Sequence, residues 1–119
     1  MTQATYTIDA AGKKLGRIAS DAAKTLMGKK SPSYVPHADS GASVTIVNAS
    51  KLHITEKKKL NKVYMHYSQY PGGLKAESLG ALLKRKGKGH GEVLRRAIQR
   101  MLPRNTMRVG RMKRLKITD

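Results

Sequence analysis

The chain has 119 residues, carries 25 Lys plus Arg against 7 Asp plus Glu, and contains no Cys, Phe or Trp. Without cysteine there is no disulfide, no Cys-ligated zinc and no thiol chemistry. A formal charge of +18 repels itself in a folded state unless a dense polyanion supplies the counter-charge.

A chain of this length makes one ordinary domain and buries roughly two-thirds of its unfolded surface. Hydrophobic residues are 39% of it, so the core is lean and built from Leu, Ile, Val, Ala and Met. No apolar run approaches the ~18 residues of a bilayer span. Met1 to Gly12 has neither the layout of a signal peptide nor the Arg-rich character of a transit peptide. The sequon Asn48-Ala49-Ser50 is therefore not expected to serve as a glycosylation acceptor.

Tyr6-Thr7-Ile8-Asp9 reads as a strand bounded by Gly12. Leu15, Ile18, Ala19, Ala22, Ala23 and Leu26 recur at three- and four-residue spacing, which predicts an amphipathic helix stopped at Gly28. Ser31 to Gly41 is a loop, and Ser43 to Asn48 a β-branched strand. Strand, helix and strand in this order predict a βαβ unit with parallel strands. Glu56 to Lys59 reads as a polar turn, and Val63 to Tyr67 alternates as a third strand ended by Pro71-Gly72-Gly73. Leu74 to Lys86 reads as a helix, weakened by Gly80. Gly87 to Gly91 is a flexible break. In the next helix Val93, Leu94, Ala97, Ile98, Met101 and Leu102 lie opposite Arg95, Arg96, Gln99 and Arg100, and Pro103 marks the end. Beyond it basic residues alternate with Met107, Val109 and Met112, and Leu115-Lys116-Ile117 offers a final edge strand. The whole chain, 1–119, reads as a single domain, with a strand–helix–strand core over 1–74 and basic helices and tail over 75–119.

The charge is uneven. Residues 1–60 carry ten basic and four acidic side chains, and residues 61–119 carry fifteen and three. In the series Lys84, Arg85, Lys86, Lys88, Arg95, Arg96, Arg100, Arg104, Arg108, Arg111, Lys113, Arg114 and Lys116 the one acidic interruption is Glu92. A merely solubilising surface mixes signs, so this stretch points to nucleic acid. From residue 95 onward Arg outnumbers Lys, which favours forked contacts to phosphates and unpaired bases.

Other motifs have plainer readings beside functional ones. Gly12-Lys13-Lys14-Leu15-Gly16-Arg17 is neither a P-loop nor a dinucleotide fingerprint; it reads as a tight strand-to-helix turn whose amides and Arg17 can meet phosphate. The histidines form no metal-ligand pair, so neither metal nor cofactor is expected. His37 beside Asp39 suggests acid–base chemistry only if a nucleophile stands near, and none does in sequence. Tyr64, Tyr67 and Tyr70 with His66 make either half-buried packing or a platform for bases, and Tyr64 and Tyr67 point to opposite faces of their strand. An enzyme on the βαβ unit would need a concentrated site, yet Asp9, Asp21, Asp39, Glu56, Glu77 and Glu92 are scattered. A free regulator of messenger RNA or DNA fits the composition as well as a fixed ribonucleoprotein component does.

Six segments in order and register carry a resemblance. They are Asp9 to Ser20, Leu26 to Lys29, Tyr34 to Gly41, Val44 to Lys51, Tyr70 to Lys75 and Ala97 to Asn105. Together the chain resembles the large-subunit ribosomal protein L-thirteen family in its bacterial form. The resemblance implies a compact three-layer α/β/α domain with a small central, mainly parallel sheet of about four strands. It implies a non-catalytic component of the cytoplasmic ribosome, bound to large-subunit ribosomal RNA, taken up early in assembly and adjoining other large-subunit ribosomal proteins. It places RNA-facing motifs on Gly12 to Arg17, Lys29, Pro36 to Gly41, His66 to Lys75 and Met101 to Asn105. With the charge argument, the candidate RNA contacts are the basic series from Lys84 to Arg114 together with Lys13, Lys14, Arg17, Lys29, Lys30, His37, Lys57, Lys58, His66, Tyr70, Gly72, Gly73, Lys75 and Asn105. The chain departs from the family pattern at Ala42, usually acidic, and at Gln69 and Arg100, usually glycine. Its lead before the first strand is short, and the usual extension does not follow Ile117.

Overall fold

The computed structural model describes residues 5–32, 34–37, 41–84 and 89–118. At its head β1 (Thr5–Asp9), α1 (Leu15–Met27) and β2 (Ser43–Val47) form the expected βαβ unit. β1 and β2 are parallel, in register from Thr5 against Ser43 to Asp9 against Val47. The chain's last strand, β5 (Leu115–Ile117), joins the other edge of β2, with Val44 opposite Leu115 and Ile46 opposite Ile117. The sheet order is thus β1-β2-β5, all parallel.

Side chains alternate across a strand, so the register puts Tyr6, Ile8, Val44, Ile46, Leu115 and Ile117 on one face. Ile8, Val44, Ile46 and Leu115 are buried there. Helix α1 covers that face, and every member of its predicted stripe from Leu15 to Leu26 is buried. Gly28 ends the helix in the left-handed region, φ 87°, and its N–H returns to the Lys24 and Thr25 carbonyls. Helix α4 (Gly89–Met101) packs along α1 through Val93, Leu94 and Ile98. The fold class is the α/β one expected, with a small parallel sheet and helices layered on it. The core is aliphatic, with Tyr64 the one buried aromatic among the described residues.

Five local expectations change. The third strand, β3 (Val63–Tyr67), stands outside the parallel sheet, in an antiparallel hairpin with β4 (Leu74–Ser78). Residues 74–78, predicted helical, are therefore extended, and the helix α3 is only Leu79–Leu83. The turn explains this. Pro71 and Gly72 occupy the central positions of a type II turn, with Gly72 at φ 74° and the Gly73 N–H donating to the Tyr70 carbonyl at 2.9 Å. The chain is thus folded back against β3. Ser78 then starts the helix, its hydroxyl accepting from the Ala81 N–H at 3.2 Å.

Glu56 to Lys59, read as a turn, belongs to α2 (Glu56–Asn61), because Thr55 caps it by accepting from the Lys58 N–H. Gly89, His90 and Gly91 are not a break but the first turn of α4, and a Cβ on Gly89 would lie 2.5 Å from the Leu83 carbonyl. Gly87 of that expected break lies outside the described residues. Finally, α5 (Met107–Lys113) occupies a stretch whose alternating pattern gave no helix.

Two substitutions test the packing. Leu94 is fully buried between helices, so Leu94→Ala lowers stability by about 2–4 kcal/mol in a denaturant melt. An unchanged midpoint would mean the helix faces are reversed. Gln69 sits at φ 70° in the hairpin loop, where a side chain is strained. Gln69→Gly raises stability by roughly 1 kcal/mol, read as an upward shift in Tm.

Candidate nucleic-acid interface

Three surface grooves overlap into one track. The first, about 330 Å³, lies over the start of α1 and is walled by Lys14, Arg17, His53 and Lys58. The Lys13 carbonyl accepts from the His53 N–H at 3.0 Å, which fixes the turn against the chain after β2. The second, about 230 Å³, shares Leu15, Gly16 and Lys58 with the first and adds Lys62, Tyr64 and Arg100. The third, also about 230 Å³, shares Tyr64 and adds His66, Lys75, Glu77 and Arg96. Cations from residue 14 to residue 100 thereby line one path, delivered by α1, α2, the hairpin and α4.

Tyr64 organises the middle of the track. The Arg96 and Arg100 guanidinium groups lie 5.1 and 5.5 Å from its ring centre, and the Lys62 ammonium 5.7 Å. The ring's negative face holds these like charges side by side. Burial pushes the phenol above its ordinary 10.0, against the opposing pull of Arg100 and Arg96, so the hydroxyl stays neutral. Arg96 is fixed further by Glu92, 3.1 Å away. The platform reading of the tyrosines accordingly divides: the Tyr64 ring is taken by cations, while Tyr67 and Tyr70 are exposed.

A fourth groove of about 280 Å³ lies between α4 and α5, walled by Arg95, Gln99, Arg108 and Lys113. Here Arg95 donates to the Met112 carbonyl at 3.3 Å, tying the two helices. Arg95 and Arg96 are therefore not simply two free cations opposite an apolar stripe, since each also holds part of the fold.

The other candidates are spread around these grooves. Lys13, Lys29, Lys57, Lys84, Arg104 and Asn105 are exposed, as are His37 and Gly72, with Gly73 half-buried beside it. Lys30 pairs with Asp21 at 3.0 Å. Arg114 is half-buried, its Nε donating to the Ala42 carbonyl at 2.9 Å. Arg111 departs furthest from a surface role. It is 2% exposed on the inner side of α5, with Nη2 3.8 Å from the Met107 sulfur four residues back. Arg85, Lys86 and Lys88 lie outside the described residues, as does Asp39.

His53 and Gly16 join the track without having stood out as individual contacts. His53 is brought in by backbone pairing across 39 positions, which no local pattern reveals. Gly16 had a signal. It sits in the first turn of a helix, where glycine is a poor former, and a Cβ there would meet nothing within 4 Å.

Among the described carboxylates, Asp9 has a structural role. Asp9 accepts from Asn48 Nδ2 and from the Ala11 N–H, both at 3.0 Å, and these bonds, Asn48 first, hold it below its ordinary 3.8. It locks the turn before α1. Among the described residues no cluster of three or more His, Cys, Asp or Glu could hold a metal ion, and no helix is long and apolar enough to cross a membrane.

A small parallel α/β domain whose sequence-distant cations line joined grooves belongs to the class of structural polyanion-binding proteins. Residues 3–118 match the family model described as Ribosomal protein L13. "Large ribosomal subunit protein uL13" of Syntrophus aciditrophicus is 43% identical over 94% of this chain and 77% of its own length. The proteins of that name from Aquifex aeolicus and Thermotoga petrophila are 45% and 46% identical, over 94% of this chain and 76% and 73% of their lengths. The chain belongs to the ribosomal protein L13 family, whose members are structural and non-enzymatic.

Gly16 separates stability from binding. Gly16→Ala raises Tm, by an amount equivalent to about 0.4–1 kcal/mol, because the Cβ has open space and the helix gains a better former. Gly16→Leu fills the floor shared by the first two grooves and weakens RNA binding in a filter or anisotropy titration. Equal affinity for Gly16→Leu and the parent protein would remove this groove from the interface.

Proposed function

We propose that this protein is a structural constituent of the large ribosomal subunit that binds large-subunit ribosomal RNA along the joined grooves and supports early assembly. The observation that carries the reading is convergence. With 25 basic and 7 acidic side chains, most cations have no carboxylate of their own to neutralise them. Lys14, Arg17, Lys58, Lys62, Lys75, Arg96 and Arg100, distant in sequence, line three overlapping grooves.

The mechanism is positional. Arg96 and Arg100 serve the joined grooves from one side of α4, while Arg95 and Gln99 serve the fourth groove from another. An α-helix with side chains is about 10–12 Å across, so two RNA strands neutralised at these grooves are held roughly a helix apart. Arg104, Asn105 and the exposed cations of the first turn extend the contact. Neighbouring large-subunit proteins complete the environment.

The test has two parts. In gradients at moderate salt the protein travels with large subunits, whereas a free regulator of messenger RNA or DNA stays in light fractions. With transcribed large-subunit RNA, contact to ~8 phosphates gives a logarithmic salt slope near −6 at the single-strand coefficient. Lys58→Ala with Arg100→Ala, both exposed, makes the slope shallower by about 1 to 2 without lowering Tm appreciably. A parent slope near −1 would contradict phosphate neutralisation as the mechanism.

A further inference from the structure

The β3–β4 hairpin has two unlike faces. Its register places Val63, Met65 and Tyr67 on one face, with Leu74 and Ala76 opposite them on β4. These side chains are open to solvent: Met65 is 70% exposed, Leu74 62%, Tyr67 56% and Val63 44%. On the other face Tyr64, His66, Lys75 and Glu77 turn toward Arg96 and form the third groove. In the midst of a +18 chain, the outward face carries no charged side chain at all.

We propose that this outward face is a protein-docking surface, covered by an apolar patch of a second protein bound next to this one on the same RNA. The proposal rests on the ribosomal reading above. Three observations select the occupant. First, the face has no cation for phosphate, and the hairpin's cations all lie on the opposite side, so phosphate contact is served there. Second, a two-stranded hairpin is marginally stable by itself, and a contiguous exposed apolar face marks a contact surface. Third, the face is small. Five paired residues span about 17 Å by roughly 10 Å. That is far below the ~800 Å² per partner of a free-standing complex. A second copy of this chain would not be held by it, whereas a protein already concentrated beside it by shared RNA needs little more area.

A photoreactive benzophenone amino acid is placed at position 65, and in a second protein at position 74, of the full chain expressed in bacteria. Particles are irradiated, and large subunits are collected by sedimentation. The expected product is one and the same large-subunit protein joined at both positions, and not joined when the probe is at position 7 on the exposed side of β1. A ribonuclease-sensitive adduct, an adduct with the mass of two copies, or no protein adduct overturns the proposal. Failure of the tagged protein to enter large subunits is a separate readout, and it overturns the ribosomal reading and this one together. Val63→Ser with Ala76→Asn, both exposed on the outward face and lining none of the grooves, provides the second measurement. RNA affinity of the isolated variant stays within about twofold of the parent. Occupancy of the crosslinked neighbour in particles falls about fivefold or more, as burying polar groups in an apolar contact requires. Unchanged occupancy, or a parallel loss of RNA affinity, also overturns the docking role.

Discussion

Like charges have to be held close together in a chain this basic, and around the Tyr64 ring three of them are. Arg96, Arg100 and Lys62 each lie within 6 Å of its centre. Unaided, such a group would spread its side chains into water and lose its geometry. The ring attracts each cation by its quadrupole, and Glu92 anchors one of them. Tyr64 is itself held because β3 turns it inward while Met65 and Tyr67 face out. The hairpin thus supports this cation cluster from behind, and Tyr64, read from sequence as either half-buried packing or a platform for bases, is buried as its floor.

The βαβ head of the chain was legible because its signal is periodic and local. The stripe from Leu15 to Leu26 and the β-branched run at Ser43 to Val47 each name one element, and chirality then leaves one way to join them. The hairpin was half legible. Alternation marked β3 and Pro71-Gly72 marked its turn, but Leu79, Leu82 and Leu83 drew the predicted helix back over residues that pair with β3. Register decided against them, since each residue from Leu74 to Ser78 has a cross-strand partner. α5 was hidden because its apolar residues are diluted by arginines, one of which is buried.

The candidate site was legible as a charge and, through the resemblance, as separate motifs, but not as one surface. Composition points to a polyanion, and the basic series identifies the richer half. Which cations share a groove depends on contacts between α1, α2, α4 and the hairpin, which are distant in sequence. Arg111 shows the limit most clearly. In the sequence it is one more arginine in a basic run. In the structure it is on the inner side of its helix against a methionine sulfur, so counting charge overstates what reaches solvent.

The departures from the family pattern acquire physical meanings once placed. Arg100, where glycine is usual, adds a guanidinium over Tyr64 and a wall to the second groove, so the substitution enlarges the cationic track. Gln69 takes the backbone geometry that suits glycine, φ 70°, with its side chain exposed. At Ala42, usually acidic, the side chain is buried and the backbone carbonyl receives the Arg114 guanidinium. That bond uses the main chain and so does not depend on which side chain stands at position 42. Two of the three replacements therefore favour a more basic chain: one adds a cation and one omits an anion. Both leave the parallel sheet and α1 intact, because neither residue lies in the stripe that joins them.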